Sequence, residues 1–257
     1  MPRRPRQKSP SGIQHIMVRG VGKMDIFPYD SDKLVYLDYI GIIKEDMNFE
    51  LLAYCLMSNH AHLLIKDDAD SLSLAMKRIG ICYAQYFNKS NQRSGHVFQD
   101  RFRSQIIENP RQCIVCARYI HNNPVKAGIV SKPEHYPWSS YNAYLFPSKS
   151  KLINPELILG EHGKDPQAAR KGLIEFTHAM DSENYSFSAP EAGLSPSEKI
   201  QALLTKKGLT LPAFKQLNKE ERDDLILAIK AETAASAREM ETALGMSKSS
   251  IARILRE

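Results

Sequence analysis

Between Leu51 and Ile65 the chain is almost unbroken apolar sequence, interrupted by Ser58-Asn59 and by two histidines, His60 and His62. Such a run reads as two paired strands, Phe49–Met57 and His60–Ile65, around a turn or kink at Ser58-Asn59. Apolar neighbours on both sides place the second strand in the interior of a sheet. Residues i and i+2 of a strand leave the same face, so both imidazoles can grip one metal ion. Two histidines do not fill a coordination sphere, and further ligands must come from elsewhere. Hydrolases that use His-x-His usually carry a downstream Asp-His pair. Here Lys66, Asp67 and Asp68 follow without a histidine, which argues against a binuclear hydrolase.

The segment Ile114–Pro124 reads as the last turns of a helix, which Pro124 is expected to end. Tyr119 and Asn123 are four apart and share a helical face. Taken alone they are a buried tyrosine and a helix-terminating Asn-Pro. Taken with His60 and His62 they supply a hydroxyl nucleophile and an oxygen ligand beside two imidazoles, the parts of metal-assisted phosphoryl transfer. Mixed nitrogen and oxygen ligation suits Mg²⁺ or Mn²⁺ better than a closed zinc site. A phosphotyrosine ester would conserve the bond energy, so a cut strand could be rejoined without ATP. In keeping with that, Gly20-Val21-Gly22-Lys23-Met24 lacks the first glycine and the Ser/Thr of a Walker loop.

Six ordered blocks now acquire a common meaning. They are Arg3–Arg6 with Ser11–Gly20, Tyr54–Leu64, Tyr86–Asn88, Gly95–Phe102, Arg118–Gly128 and Tyr136–Tyr141. Together they resemble the single-tyrosine HUH transposases, and among these the REP-associated tyrosine transposases, over residues 3 to 144. The resemblance implies His60, His62 and Asn123 as metal ligands and Tyr119 as the nucleophile. It also implies cleavage of single-stranded DNA to a 5′-phosphotyrosine and a free 3′-OH. The sequence departs from many relatives at Gln14, where tyrosine is common, and at Ser58, where proline is common.

The remaining pattern gives the expected architecture. Ile13–Arg19 reads as a strand, Ser31–Glu45 as a helix, Ser71–Asn88 as a second helix, Val97–Ile107 as one or two strands and Pro110–Asn122 as the tyrosine helix. This order fits an α+β, ferredoxin-like sandwich with an antiparallel sheet. Residues 1–146 form the expected catalytic domain and 147–195 a connecting region. Within the connecting region Asn154–Leu159 and Pro166–Ala179 read as short helices, and Asp181–Ser195 as the linker. Residues 196–257 form an all-α domain. Its end, Ala237–Leu244, Gly245-Met246-Ser247 and Lys248–Leu255, has the form of a helix-turn-helix, with Ser247 as the cap of the second helix. Glu241 departs from that motif, since it lies where a small residue usually lets the two helices approach.

The net charge is +6, and the whole excess falls within residues 1–146. That suits a nucleic-acid partner, single-stranded or hairpin DNA. Arg3, Arg4 and Arg6 form a proline-interleaved basic arm; Arg101, Arg103 and Lys126 are further basic candidates for DNA contact. Lys248, Ser249 and Arg253 would face DNA from the second helix of the C-terminal motif. No signal peptide or membrane span is visible, and Cys113-x-x-Cys116 without a second pair reads as reduced helix cysteines. The expected location is the cytoplasm, at the nucleoid; monomer and homodimer both remain open. A domesticated repeat-binding or regulatory protein that does not cut is the alternative. The complete set His60, His62, Tyr119 and Asn123 favours the enzyme.

Overall fold

The computed structural model describes residues 9–67, 71–146, 152–179 and 196–255. Its first part runs β1 (Ile13–Arg19), α1 (Asp30–Met47), β2 (Glu50–Leu56), β3 (His60–Lys66), α2 (Leu72–Ser90), β4 (Arg103–Ile106) and α3 (Pro110–Lys126). The strands form one sheet in the order β2-β3-β1-β4, and every neighbouring pair is antiparallel. This is the ferredoxin-like arrangement. β1 and β3 lie in the middle, which is why Ile16, Leu63, Leu64 and Ile65 are fully buried. Right-handed crossovers put α1 and α2 on one face. There Tyr36, Tyr83 and Phe27 pack ring against ring, with centroids 5.0–5.4 Å apart. α3 packs against β2 and β3 from the other face.

Two expectations are revised. The stretch Val97–Ile107 yields only the short strand β4, preceded by a single bridge from Phe98 to Gly20. And Pro124 does not end its helix, because α3 continues to Lys126. Proline lacks the N–H that would serve the carbonyl of Ile120. The Asn123 side-chain amide supplies donors instead, with Nδ2 at 2.9 Å from the Tyr119 carbonyl and 3.5 Å from that of Ile120. The turn-off comes at Gly128, whose φ of 70° a helix cannot accommodate.

The block around Trp138 closes the outer edge of β2. Ser139 bridges Cys55, Leu56 donates its N–H to the Trp138 carbonyl, and the Tyr136 hydroxyl donates to the Leu56 carbonyl at 2.7 Å. α4 (Tyr141–Leu145), α5 (Glu156–Gly160) and α6 (Pro166–His178) follow. Ile158 and Leu173 join the same core, so the described part of the connecting region packs on the sheet domain. Residues 181–195, expected as the linker, lie outside the described residues.

α7 (Pro196–Lys206), α8 (Leu211–Gln216), α9 (Lys219–Thr233), α10 (Ala237–Leu244) and α11 (Lys248–Ile254) gather a second core. Ile200, Phe214, Ile226, Ile229, Met240, Leu244 and Ile251 are its fully buried members. Gly245, at φ 66°, makes the turn between α10 and α11, and the Ser247 hydroxyl caps α11 by accepting from the Ser250 N–H. Glu241 has a local role of its own, for its Oε1 accepts from the Lys248 N–H at 3.0 Å and adds a second cap to α11. No helix among the described residues is long and apolar enough to cross a membrane.

α7 also touches the sheet domain where the histidine strand begins. Glu198, fully buried, accepts the Ser58 N–H at 2.9 Å, and the Ser197 hydroxyl donates to Asp25 at 2.6 Å. Proline at position 58 could not make the first of these bonds. The carbonyl of Ser58 accepts from the N–H groups of Ile26 and Phe27 at 2.8 and 2.9 Å, and that of Asn59 from Gly20 at 2.9 Å. Gly20 allows this close approach. A Cβ there would lie 2.1 Å from the Met24 carbonyl oxygen and 2.9 Å from Ile26 Cγ2. Gly20→Ala is therefore expected to lower stability by about 1–3 kcal/mol, the range for overpacking. The control is Gly41→Ala in α1, where the nearest atom is Leu152 Cδ1 at an ordinary 3.6 Å. Paired thermal melts check both, and equal melting temperatures for the two variants would contradict the steric account.

Candidate active site between the sheet and the tyrosine helix

Alternation along β3 puts His60 and His62 on one face, and the register with β1 sets their neighbours. Arg19 lies opposite His60 and Met17 opposite His62. On the far side of β1, Arg103 of β4 lies opposite Met17. The two histidine rings have centroids 5.1 Å apart and stand nearly perpendicular, at 87°.

Each imidazole is held through its Nδ1. His60 Nδ1 is 2.6 Å from Asn59 Oδ1. Because the Asn59 amide nitrogen faces the Lys23 carbonyl at 3.4 Å, its oxygen is the atom presented to His60, and His60 Nδ1 donates. His60 Nε2 therefore carries a lone pair. His62 Nδ1 is 2.9 Å from Nε2 of His15, so these two atoms share one proton. When His62 is the donor, its Nε2 too is a lone-pair atom. Burial keeps the rings neutral. His62 is pushed down to about 3. His60 and His15 are held well below the usual histidine range, first by burial and then by the neighbouring His62.

α3 brings the tyrosine to this pair. Asn109 caps the helix by accepting from the Gln112 N–H, and Pro110 starts it. The Tyr119 ring is 8% exposed and meets His62 and His15 edge-on, with centroids 5.7 and 5.8 Å away. The Lys126 ammonium stands 5.1 Å from the Tyr119 ring centroid. Asn123 is one turn on from Tyr119. Its amide nitrogen is turned back to the helix carbonyls, which leaves its Oδ1 as the atom available to accept or coordinate.

The structure thus brings His60, His62 and Tyr119 into one cluster, with Asn123 and Lys126 on the same helix. Arg101 and Arg103 are exposed at the β1–β4 side of the same face. Lys248, Ser249 and Arg253 are exposed on α11, in the other core. Arg3, Arg4 and Arg6 lie outside the described residues. Two members of the site were not anticipated, His15 and Asn59. Among the described residues no group of three or more His, Cys, Asp or Glu side chains is arranged to hold a metal ion. A cation here would draw on the two histidine Nε2 atoms, the Asn123 amide oxygen and oxygens of the substrate. That donor set fits Mg²⁺ or Mn²⁺, and the fixed Nδ1 atoms match the way ligating histidines are oriented by their surroundings.

The chain matches the family described as "Transposase IS200 like" over residues 10–123. A Haemophilus influenzae protein, provisionally named a REP-associated tyrosine transposase, is 28% identical over 163 residues, which span 56% of this chain and 88% of that one. A solved structure of a REP-associated tyrosine transposase bound to a REP hairpin is similar at a TM-score of 0.49 and 20% identity, covering 60% of this chain and 91% of that one. Residues 10–123, which hold His15, Asn59, His60, His62, Tyr119 and Asn123, are the part of this chain that is similar to the IS200-like transposase family.

Proposed function

We propose that the protein is a single-stranded DNA endonuclease and strand transferase that acts at hairpin-forming repeats through Tyr119, with Mg²⁺ or Mn²⁺. The observation that carries this reading is the Tyr119 ring set against His62, at 5.7 Å between centroids, on a buried histidine face. His60, His62 and Asn123 would hold the cation. When bound, it would offset charge on the non-bridging phosphate oxygens. The chain's own groups do the rest. Burial and the Asn59 bond keep His60 neutral with its Nε2 free of a proton. The Tyr119 phenol gives its proton to water, its oxygen forms a bond to phosphorus, the bond from phosphorus to the 3′ oxygen breaks, and that oxygen takes up a proton from water. The products are a 5′-phosphotyrosine and a free 3′-OH. The Lys126 ammonium adds positive charge beside the reacting ring, 5.1 Å from its centroid. The exposed Lys248, Ser249 and Arg253 of α11 are proposed as a separate DNA contact that selects the target.

The test is incubation of the full chain with a hairpin-bearing single-stranded oligonucleotide and Mn²⁺ or Mg²⁺. A covalent protein–DNA band is expected, absent when the cation is chelated and accompanied by a 3′-OH fragment. Tight hairpin binding with no covalent product under either cation would establish the binding-only alternative.

A further inference from the structure

Beside the histidine pair the same sheet face holds a cationic hollow that the mechanism does not use. It has a volume of about 100 Å³ and is lined by Met17, Arg19, Gln99, Asp100, Arg101 and Arg103. A hollow of this size has room for the oxygens of a phosphate group. Its walls come from three places. β1 contributes Met17 and Arg19, β4 contributes Arg103, and the segment between α2 and β4 contributes the rest. That segment is tied down by the Gln99 N–H, which donates to the Arg19 carbonyl at 2.9 Å. Three guanidinium groups face one carboxylate, and Asp100 Oδ1 accepts the N–H of its neighbour Arg101 at 2.8 Å.

Arg19 is the telling member. Its Nε and Nη2 atoms are buried from solvent and have no hydrogen-bond partner among the described residues. Such donors are rarely left so in a folded protein unless a water, an ion or a ligand serves them. Nε and an Nη together form the fork that grips two oxygens of one phosphate. The register fixes where that phosphate would sit, because Arg19 is directly opposite His60 on the adjacent strand. We infer that Arg19, flanked by Arg101 and Arg103, seats a phosphodiester of the bound single strand next to the one that Tyr119 attacks. The inference rests on the proposed function for the identity of the strand, and on the arginine geometry alone for the anion.

Binding is measured with the full chain and a hairpin-bearing single-stranded oligonucleotide in chelator, where no cleavage intrudes. Arg19→Gln is expected to weaken binding roughly tenfold, and its salt dependence should fall by about 0.7 in the log–log slope, the loss of one single-strand phosphate contact. A methylphosphonate scan locates the contact on the unaltered protein. One neutralised phosphate should weaken the wild type and have no further effect on Arg19→Gln. Arg101→Gln and Arg103→Gln, both at exposed positions, should blunt the same position if Arg19→Gln fails to fold. A flat scan on the wild type, or a scan unchanged in the arginine variants, would overturn the seat. The covalent assay is run beside it. A wild type that makes no adduct yet shows the Arg19-linked phosphate would sink the cleavage reading and leave the seat standing. Adduct formation with an unchanged scan would do the reverse.

Discussion

Tyr119→Phe is expected to abolish the covalent protein–DNA product, by at least about a thousandfold, the scale on which loss of a catalytic nucleophile is felt. The substitution removes one oxygen and keeps the ring. The edge contacts to His62 and His15 at 5.7 and 5.8 Å depend on the ring, so the helix stays docked and the histidines stay in place. DNA affinity should change by no more than about twofold, because phosphate contacts come from many basic side chains. A covalent product that persists in Tyr119→Phe would assign the nucleophile elsewhere. Cleavage that persists without any covalent product would make the protein a hydrolase that uses water.

The second large effect is loss of stability in mild acid. His62 and His121 are both buried and are pushed down to about 3 from an ordinary 6.5. The sign follows from proton counting. Below pH 6.5 the unfolded chain takes up protons at these sites and the folded chain does not, so protonation favours unfolding. The stabilising contribution is complete above about 6.5 and drains away as the pH falls toward 3. At pH 5 each of the two groups has withdrawn about 2 kcal/mol, or about 4 kcal/mol together, against a total of about 5–15 kcal/mol for a typical domain. His15 and His60, also held below their ordinary value by burial, push in the same direction. Melting temperature in chelator should therefore drop steeply between pH 7 and 5. His121 allows the cause to be checked away from the site. Its Nε2 meets the Ser140 hydroxyl at 2.9 Å and its Nδ1 is buried with no hydrogen-bond partner among the described residues. His121→Gln should flatten the pH dependence by about one group's share. A melting temperature that is level across this range would show that the buried rings charge as readily folded as unfolded.

Much of the sheet domain was legible because its signals are local. An apolar run broken at Ser58-Asn59 has few folded forms, and alternation then fixes His60 and His62 on one face. The four-residue spacing of Tyr119 and Asn123 works the same way on α3. What stayed hidden depends on residues far apart in the chain. Nothing in Gln14-His15-Ile16 shows that His15 will meet His62; the register of β1 against β3 does. Asn59 looked like a turn residue, and only the fold turns its amide oxygen to His60. Nothing local to Glu198 shows that it will accept the backbone N–H of Ser58. Pro124 misled for a different reason, because the rule that proline ends helices assumes no side chain replaces its missing donor. In Glu241 the departure from the expected small residue was visible, but its bond to the Lys248 N–H was not.

The bond between Ser58 and Glu198 has a bearing on how the polypeptide is made. Synthesis runs from the N-terminus, and segments fold in turn as they leave the ribosome. The histidine strand, the tyrosine helix and the whole sheet can be extruded while α7 is still untranslated. During that interval the peptide group leading into His60 lacks the carboxylate that will later hold it. The ribosome thus releases this protein with its histidine turn fastened late, by a helix encoded far downstream of the strands it secures.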